Sequence, residues 1–222
     1  MDQSLGQDGS LLAVRRFAFE TKGQAHNFGI PLLEMVSARL EDYGSAVTTM
    51  DEVRIEHLRV YLDTIIDVAE GNIAPDEPAA NVVRTLPARP ASPRMEDTDI
   101  RDVEVILVML HGAQTRFVER ELQACGYRVS ICTSTIAALD HAIHTKPDMM
   151  IISAIMPGMN GIDLAIALSH MPDTRNIPLA LITSLDASDE RLQFVPEGVP
   201  LISKSVRFGD DLAEALSYHF LL

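Results

Sequence analysis

Tryptophan is absent from the 222 residues, aromatic residues make up only 5%, and there are two cysteines. Without large rings, a core has to be assembled from Leu, Ile, Val, Ala and Met, which the 47% hydrophobic content allows. Cys125 and Cys132 are too few for a disulfide framework or a metal motif, and they read as buried, reduced thiols. Basic residues are also scarce, with 18 Lys and Arg against 32 Asp and Glu, for a formal charge of −14. Such a field repels phosphate backbones and anionic headgroups, so neither nucleic acid nor a membrane surface is an expected partner. No apolar run reaches the roughly 18–20 residues that a membrane helix needs. The opening MDQSLGQDGS has no basic n-region of a signal peptide. The expected address is the cytoplasm, and no residue pattern asks for a cofactor or a metal.

What is present falls into three parts. Residues 11–70 read as a helical hairpin, one helix over 11–43 and a second over 49–70. In the second, Ile55, Leu58, Leu62, Ile65 and Ala69 recur at spacings of 3 and 4, drawing an apolar seam. Ile30, Leu33, Val36 or Ser37, Leu40 and Tyr43 do the same in the first. The connection GSAVTT ends in threonine, a suitable N-cap for the acidic turn at Asp51-Glu52. Two helices cannot enclose a core, so the seams are expected to pair with a second copy in a four-helix, coiled-coil-type homodimer, or else to dock onto the C-terminal part. Residues 71–101 carry five prolines and little periodicity, and read as an extended, flexible linker.

From 103 to 222, apolar runs alternate five times with amphipathic segments. VEVILVML is continuous, as a central strand buried on both faces should be. YRVSICT, DMMIISAIM, PLALITS and PLISKS supply four more strands, and Gly126 suits the end of the first intervening helix. The expected fold is α/β, a five-stranded, doubly wound parallel sheet with right-handed crossovers, preceded by the α-helical hairpin. Ligand chemistry on such a sheet sits at the carboxyl ends of its strands.

The stretch PDMMIISAIMPGMNGIDL resembles the phosphorylation strand of response-regulator receiver domains. It has a Pro-Asp, four apolar residues, the acceptor position, and a second proline four residues later. Pro157, Gly158, Met159 and Gly161 fit the loop that follows. Thr183, 30 residues beyond Ser153, and Lys204 in LISKS match the Thr or Ser and the lysine that receivers keep at the ends of their fourth and fifth strands. The resemblance covers 103–222 and implies a flavodoxin-like receiver fold. It also implies that Ser153 stands where the acceptor aspartate belongs, and that Met109 and Leu110 stand where an acidic pair would hold Mg²⁺. A hydroxyl cannot form an acyl phosphate, and two apolar side chains cannot ligate a hard cation. The domain therefore reads as a pseudo-receiver, with Ser153, Thr183 and Lys204 as remnants of the pocket. Leu201 and Ser205 replace the aromatic and the proline usual around the lysine. The face made by the fourth helix, fifth strand and fifth helix of receivers commonly docks partners, and is the place to look for one here.

His26-Asn27-Phe28-Gly29-Ile30-Pro31-Leu32 resembles the H-box of histidine-kinase dimerisation domains, in which a phosphoacceptor histidine precedes a helix-kinking proline by five residues. His26 is thus a candidate phosphotransfer residue. It also lies four residues before Ile30 and seven before Leu33, as a half-buried structural histidine would. No ATP-binding domain follows, which excludes an autokinase, and His111, His141 and His144 read as surface residues. The resulting expectation is a two-component signalling protein acting by binding a histidine kinase, phosphotransferase or response regulator. The alternative is a histidine phosphotransferase working through His26.

Overall fold

A computed structural model describes residues 3–74, 76–90, 102–204 and 207–220, with backbone alone at 3–8 and 220. The chain forms two compact units, residues 1–97 and 98–222.

The N-terminal unit has four helices: α1 (Gln3–Phe28), α2 (Pro31–Ala46), α3 (Glu52–Glu70) and α4 (Ala79–Thr85). The helix expected over 11–43 is therefore broken. Gly29 adopts a left-handed φ of 65°, Ile30 closes back onto the Ala25 carbonyl, and Pro31 opens α2, where its fixed φ and missing N–H do no harm. The proline starts a new helix instead of kinking one, and the chain folds back on itself. Leu11, Ala18 and Ala25, seven residues apart, are buried along α1, and the two small alanines admit α2 closely. Arg15 Nε donates to the Gly44 carbonyl, and Lys22 pairs with Glu41, fixing the antiparallel register. On α2 the expected seam is buried: Leu33, Val36, Ser37, Leu40 and Tyr43.

Asp51, and not a threonine, caps α3, accepting from the Arg54 N–H at 2.8 Å. The short carboxylate reaches that N–H and also meets the positive helix end. The buried stripe of α3 is Leu58, Tyr61, Ile65 and Val68, so Ile55 and Ala69 of the expected seam face solvent. Tyr43 ties α2 to α3: its ring lies 5.3 Å from that of Tyr61, and its hydroxyl lies 2.8 Å from His57 Nδ1. Burial pushes the Tyr43 hydroxyl up to about 12.

The expected linker is structured up to residue 90 wherever it is described. Val82 and Val83 of α4, with Leu86 after it, are buried in the same core as α2 and α3. Arg89 reaches back to Asp42 at 2.6 Å, and Tyr61 donates to the Pro87 carbonyl. Burial of Ala79, Val82, Val83 and Leu86 outweighs the proline content, and Pro78 stands at the start of α4, where no N–H is needed. Residues 91–101 lie outside the described residues.

The C-terminal unit is one parallel sheet in the order β2-β1-β3-β4-β5. The strands are β1 (Glu104–Val108), β2 (Arg128–Cys132), β3 (Met149–Ser153), β4 (Leu179–Thr183) and β5 (Leu201–Ser203). β1, β3 and β4 are buried at every position, the signature of strands covered on both faces. Helices α5 (Ala113–Ala124), α6 (Thr135–Thr145), α7 (Gly161–His170) and α8 (Phe208–Phe220) supply the layers, and a single 3-10 turn, Glu190–Phe194, stands between β4 and β5. Gly126 takes φ 83° just past α5. Cys132 is buried, but Cys125 is exposed, contrary to expectation, because it caps the solvent end of α5. No described helix is long and apolar enough to cross a membrane.

Candidate functional site

The carboxyl ends of the strands gather the residues picked out in the C-terminal unit. Ser153 is the last residue of β3, Thr183 the last of β4, and both are buried at 5% exposure. Register makes them neighbours: Ser153 pairs with Ile182, one residue short of Thr183. Thr183 pairs with Ser203, and its carbonyl accepts from the Lys204 N–H at 2.8 Å. On the other side of β3, the Val108–Ile152 pair places Met109 and Leu110 just beyond the end of β1. Parallel strands in this register, each ended by a loop, bring all five positions to one rim.

The side chains along that rim are already committed or apolar. The Ser153 hydroxyl donates to the Ile155 carbonyl at 3.1 Å, and the Thr183 hydroxyl accepts from the Leu185 N–H at 3.0 Å. Met109 is buried, and Leu110 is 52% exposed. Ile155, after β3, and Ile136, in the first turn of α6, are also exposed. Lys204 is half-buried, and desolvation holds its ammonium below the ordinary lysine value. Among the described residues, no three His, Cys, Asp or Glu side chains are grouped as metal ligands would be. Ser205 lies outside the described residues.

The loop after β3 is shaped by a close approach. A Cβ on Gly161 would fall 1.9 Å from the Ser153 carbonyl oxygen, so only glycine fits. Its N–H donates to the Ala154 carbonyl at 3.0 Å, and Asn160 caps α7 by accepting from the Asp163 N–H. Gly158, at φ 74°, makes the preceding turn. The Thr135 hydroxyl donates to the Met159 carbonyl and ties the start of α6 to the same loop.

The N-terminal unit carries a separate candidate. His26 lies in the last turn of α1 with its side chain 74% exposed, and not half-buried as its spacing from Ile30 and Leu33 suggested. The break at Gly29–Ile30 removes those residues from its helix face. Glu34, eight residues on, comes back across the turn to place its carboxylate 3.2 Å from His26 Nδ1. Sequence reasoning missed Glu34, because on an unbroken helix eight residues span about 12 Å.

No family model matches the chain. The chain is similar to the response regulator PleD of Caulobacter vibrioides, 37% identical over 86 residues, covering 39% of this chain and 19% of that protein. It is also similar to the transcriptional regulatory protein PrrA of Mycobacterium leprae, 26% identical over 102 residues, covering 46% of this chain and 43% of the relative. The chain thus spans less than half the length of either. Among solved structures, a response regulator from Desulfuromonas acetoxidans aligns with a TM-score of 0.46 at 26% identity, covering 54% of this chain and 98% of that one. The receiver domain of a sensor histidine kinase from Pseudomonas aeruginosa, solved with magnesium in its active-site cleft, aligns with a TM-score of 0.47 at 18% identity, covering 52% and 96%. Sequence similarity to response regulators and the five-stranded parallel sheet agree: the C-terminal unit is a response-regulator receiver domain, the module of two-component signalling.

Proposed function

We propose that this protein is a two-component signalling component whose receiver takes no phosphate and which works by binding, as an adaptor or regulator within a phosphorelay. The observation that carries this reading is the chemistry of the rim. Where receivers hold Mg²⁺ and accept phosphate, this chain has a buried thioether at Met109, an alkyl group at Leu110 and, at Ser153, a hydroxyl already spent on the Ile155 carbonyl. Mg²⁺ requires hard oxygen ligands, and these three side chains do not fit it. Without metal or acceptor carboxylate, phosphoryl transfer has neither charge neutralisation nor a group to land on. Lys204 and Thr183 then serve as structural polar groups at the rim.

The partners of this reading are a histidine kinase, a phosphotransferase or a genuine response regulator, with the protein itself a homodimer. Neither nucleic acid nor a membrane is a partner, in keeping with the charge of −14. One face suits protein docking. The 3-10 turn stands where a receiver's fourth helix would, and a cleft of about 430 Å³ lies between β5 and α8, lined by Pro200, Leu201, Asp211, Glu214 and Tyr218. Leu201 and Tyr218 are exposed there.

A second reading has its own support. The exposed His26 ring, with Nδ1 held by Glu34, leaves Nε2 open to solvent, the arrangement a phosphoacceptor histidine needs. The two readings separate on phosphate-affinity gels of the protein taken from its own cells, wild type beside His26→Ala, with and without acid treatment. The binding reading expects no shifted band while a genuine regulator in the same cells shifts. An acid-labile band that vanishes in the variant would establish the phosphotransferase instead.

A further inference from the structure

In the cleft between β5 and α8, apolar surface and negative charge lie side by side. Its strand side is Val199, Pro200 and Leu201, with Leu201 42% exposed. On its helix side Asp211, Glu214 and Tyr218 follow at spacings of 3 and 4 along one face of α8. Leu212, Ala215 and Leu216 anchor the helix in the core, so its packing does not call on Glu214 or Tyr218. The Tyr218 side chain is instead left in water at the cleft, 67% exposed.

The charge here is of one sign. α8 carries Asp210, Asp211 and Glu214 with no lysine or arginine, and no lysine or arginine lines the cleft. Asp211 is partly committed, accepting from the Ser203 N–H at 3.2 Å and standing 3.9 Å from Arg207. Among the described residues, Glu214 has neither hydrogen bond nor ion pair, and the Tyr218 hydroxyl has no hydrogen bond. A free carboxylate and a free phenol beside apolar walls suit an occupant that brings a cation and an apolar body together. Nucleic acid and anionic lipid are repelled by this charge. A second copy joined by a two-fold axis through the same face would set Asp211 and Glu214 against their own counterparts. A free polyamine would meet the carboxylates and leave the apolar wall wet. A polypeptide segment supplies both chemistries.

We propose that this cleft takes a basic, apolar segment of a partner protein. An arginine or lysine of that segment pairs with Glu214 and lies against the Tyr218 ring, and a neighbouring apolar side chain packs on Val199, Pro200 and Leu201. This rests on the adaptor reading of the preceding section and names the chemistry of its partner.

Selection of short random peptides, displayed on phage, against the full chain tests it. The recovered peptides are expected to carry arginine or lysine beside Leu, Ile, Val or Phe. Titrated into the full chain, the strongest of them should shift the amide signals of Val199, Leu201, Glu214 and Tyr218. Glu214→Arg and Tyr218→Ser should each weaken its binding roughly tenfold or more. Asp63→Arg, the same change of charge on α3, should leave it unchanged. That comparison separates this site from the general attraction of a chain of charge −14 for any cation. All three positions are exposed, and unchanged melting temperatures confirm that the variants fold. Recovery of acidic peptides, of none, or of peptides indifferent to Glu214→Arg and Tyr218→Ser would overturn the proposal. Spermidine binding as tightly as the peptide would also overturn it, in favour of a free amine. These failures leave the phosphate-free receiver untouched, since that is read by phosphate incorporation. A receiver that takes phosphate yet binds such a peptide here would overturn the earlier reading alone.

Discussion

Gly161 and Ser153 lock the end of β3 to the start of α7, and the backbone contact leaves no room for a side chain. Gly161→Ala should therefore destabilise the C-terminal unit by about 1–3 kcal/mol through overpacking. Gly209→Ala, in open space on α8, should be neutral or slightly stabilising. Denaturant melts of the two variants give the comparison, and equal midpoints would remove the close approach from the account. A second prediction concerns His57. Burial first, and Arg54 second, hold its imidazole below the ordinary 6.5, with Asp51 and Glu56 pulling the other way. A depressed folded value means that the unfolded chain takes up the proton first as pH falls. The N-terminal unit should accordingly lose stability as pH drops below 6.5, and His57→Phe should flatten that dependence in thermal melts. At this scale the rim was legible in the sequence: Ser153, Thr183, Lys204, Met109 and Leu110 all stand at strand ends because apolar runs of known length end there. Glu34 was not legible, because its approach to His26 depends on the turn at Gly29–Ile30, where one continuous helix over 11–43 was expected.

Elements in the C-terminal unit followed their patterns closely, since strands buried on both faces are written as unbroken apolar runs and the turns carry glycine. The N-terminal unit followed its pattern less well. A seam from Ile30 to Tyr43 says that a helix has an apolar face, but not where that helix begins, and Gly29-Ile30-Pro31 separates it from α1. The α3 seam was placed one position off because Tyr61 and Val68 bury in place of Ile55 and Ala69. Proline count hid the structure of 76–90, whose evidence was the smaller apolar cluster Val82, Val83 and Leu86. That segment should be integral to the unit. Leu86→Ala is expected to lose about 2–5 kcal/mol. Arg89→Ala should also destabilise the unit, because it removes an ion pair whose two side chains are only 9% and 11% exposed. Limited proteolysis provides the check: the wild type should resist cleavage across 76–90 and both variants should be cut there. A wild type cut as readily as the variants would return the segment to the role of a linker.

The whole molecule joins a helical unit to a receiver domain whose strand-end rim carries Met109, Leu110 and Ser153. In the proposed reading, a receiver that keeps its sheet, its shaped β3–α7 loop and its rim lysine, but carries Met109, Leu110 and Ser153 at the positions expected for carboxylates, acts by being recognised. The same reading excludes a switch by phosphorylation. The measurement that bears most directly on this is the melting temperature of the full chain with and without millimolar Mg²⁺ and beryllofluoride, which together mimic the phosphorylated state of a competent receiver. The account predicts the same melting temperature in both conditions for the wild type. A clear rise on adding the pair would mean that carboxylates elsewhere in the chain complete the site, and would contradict the central claim.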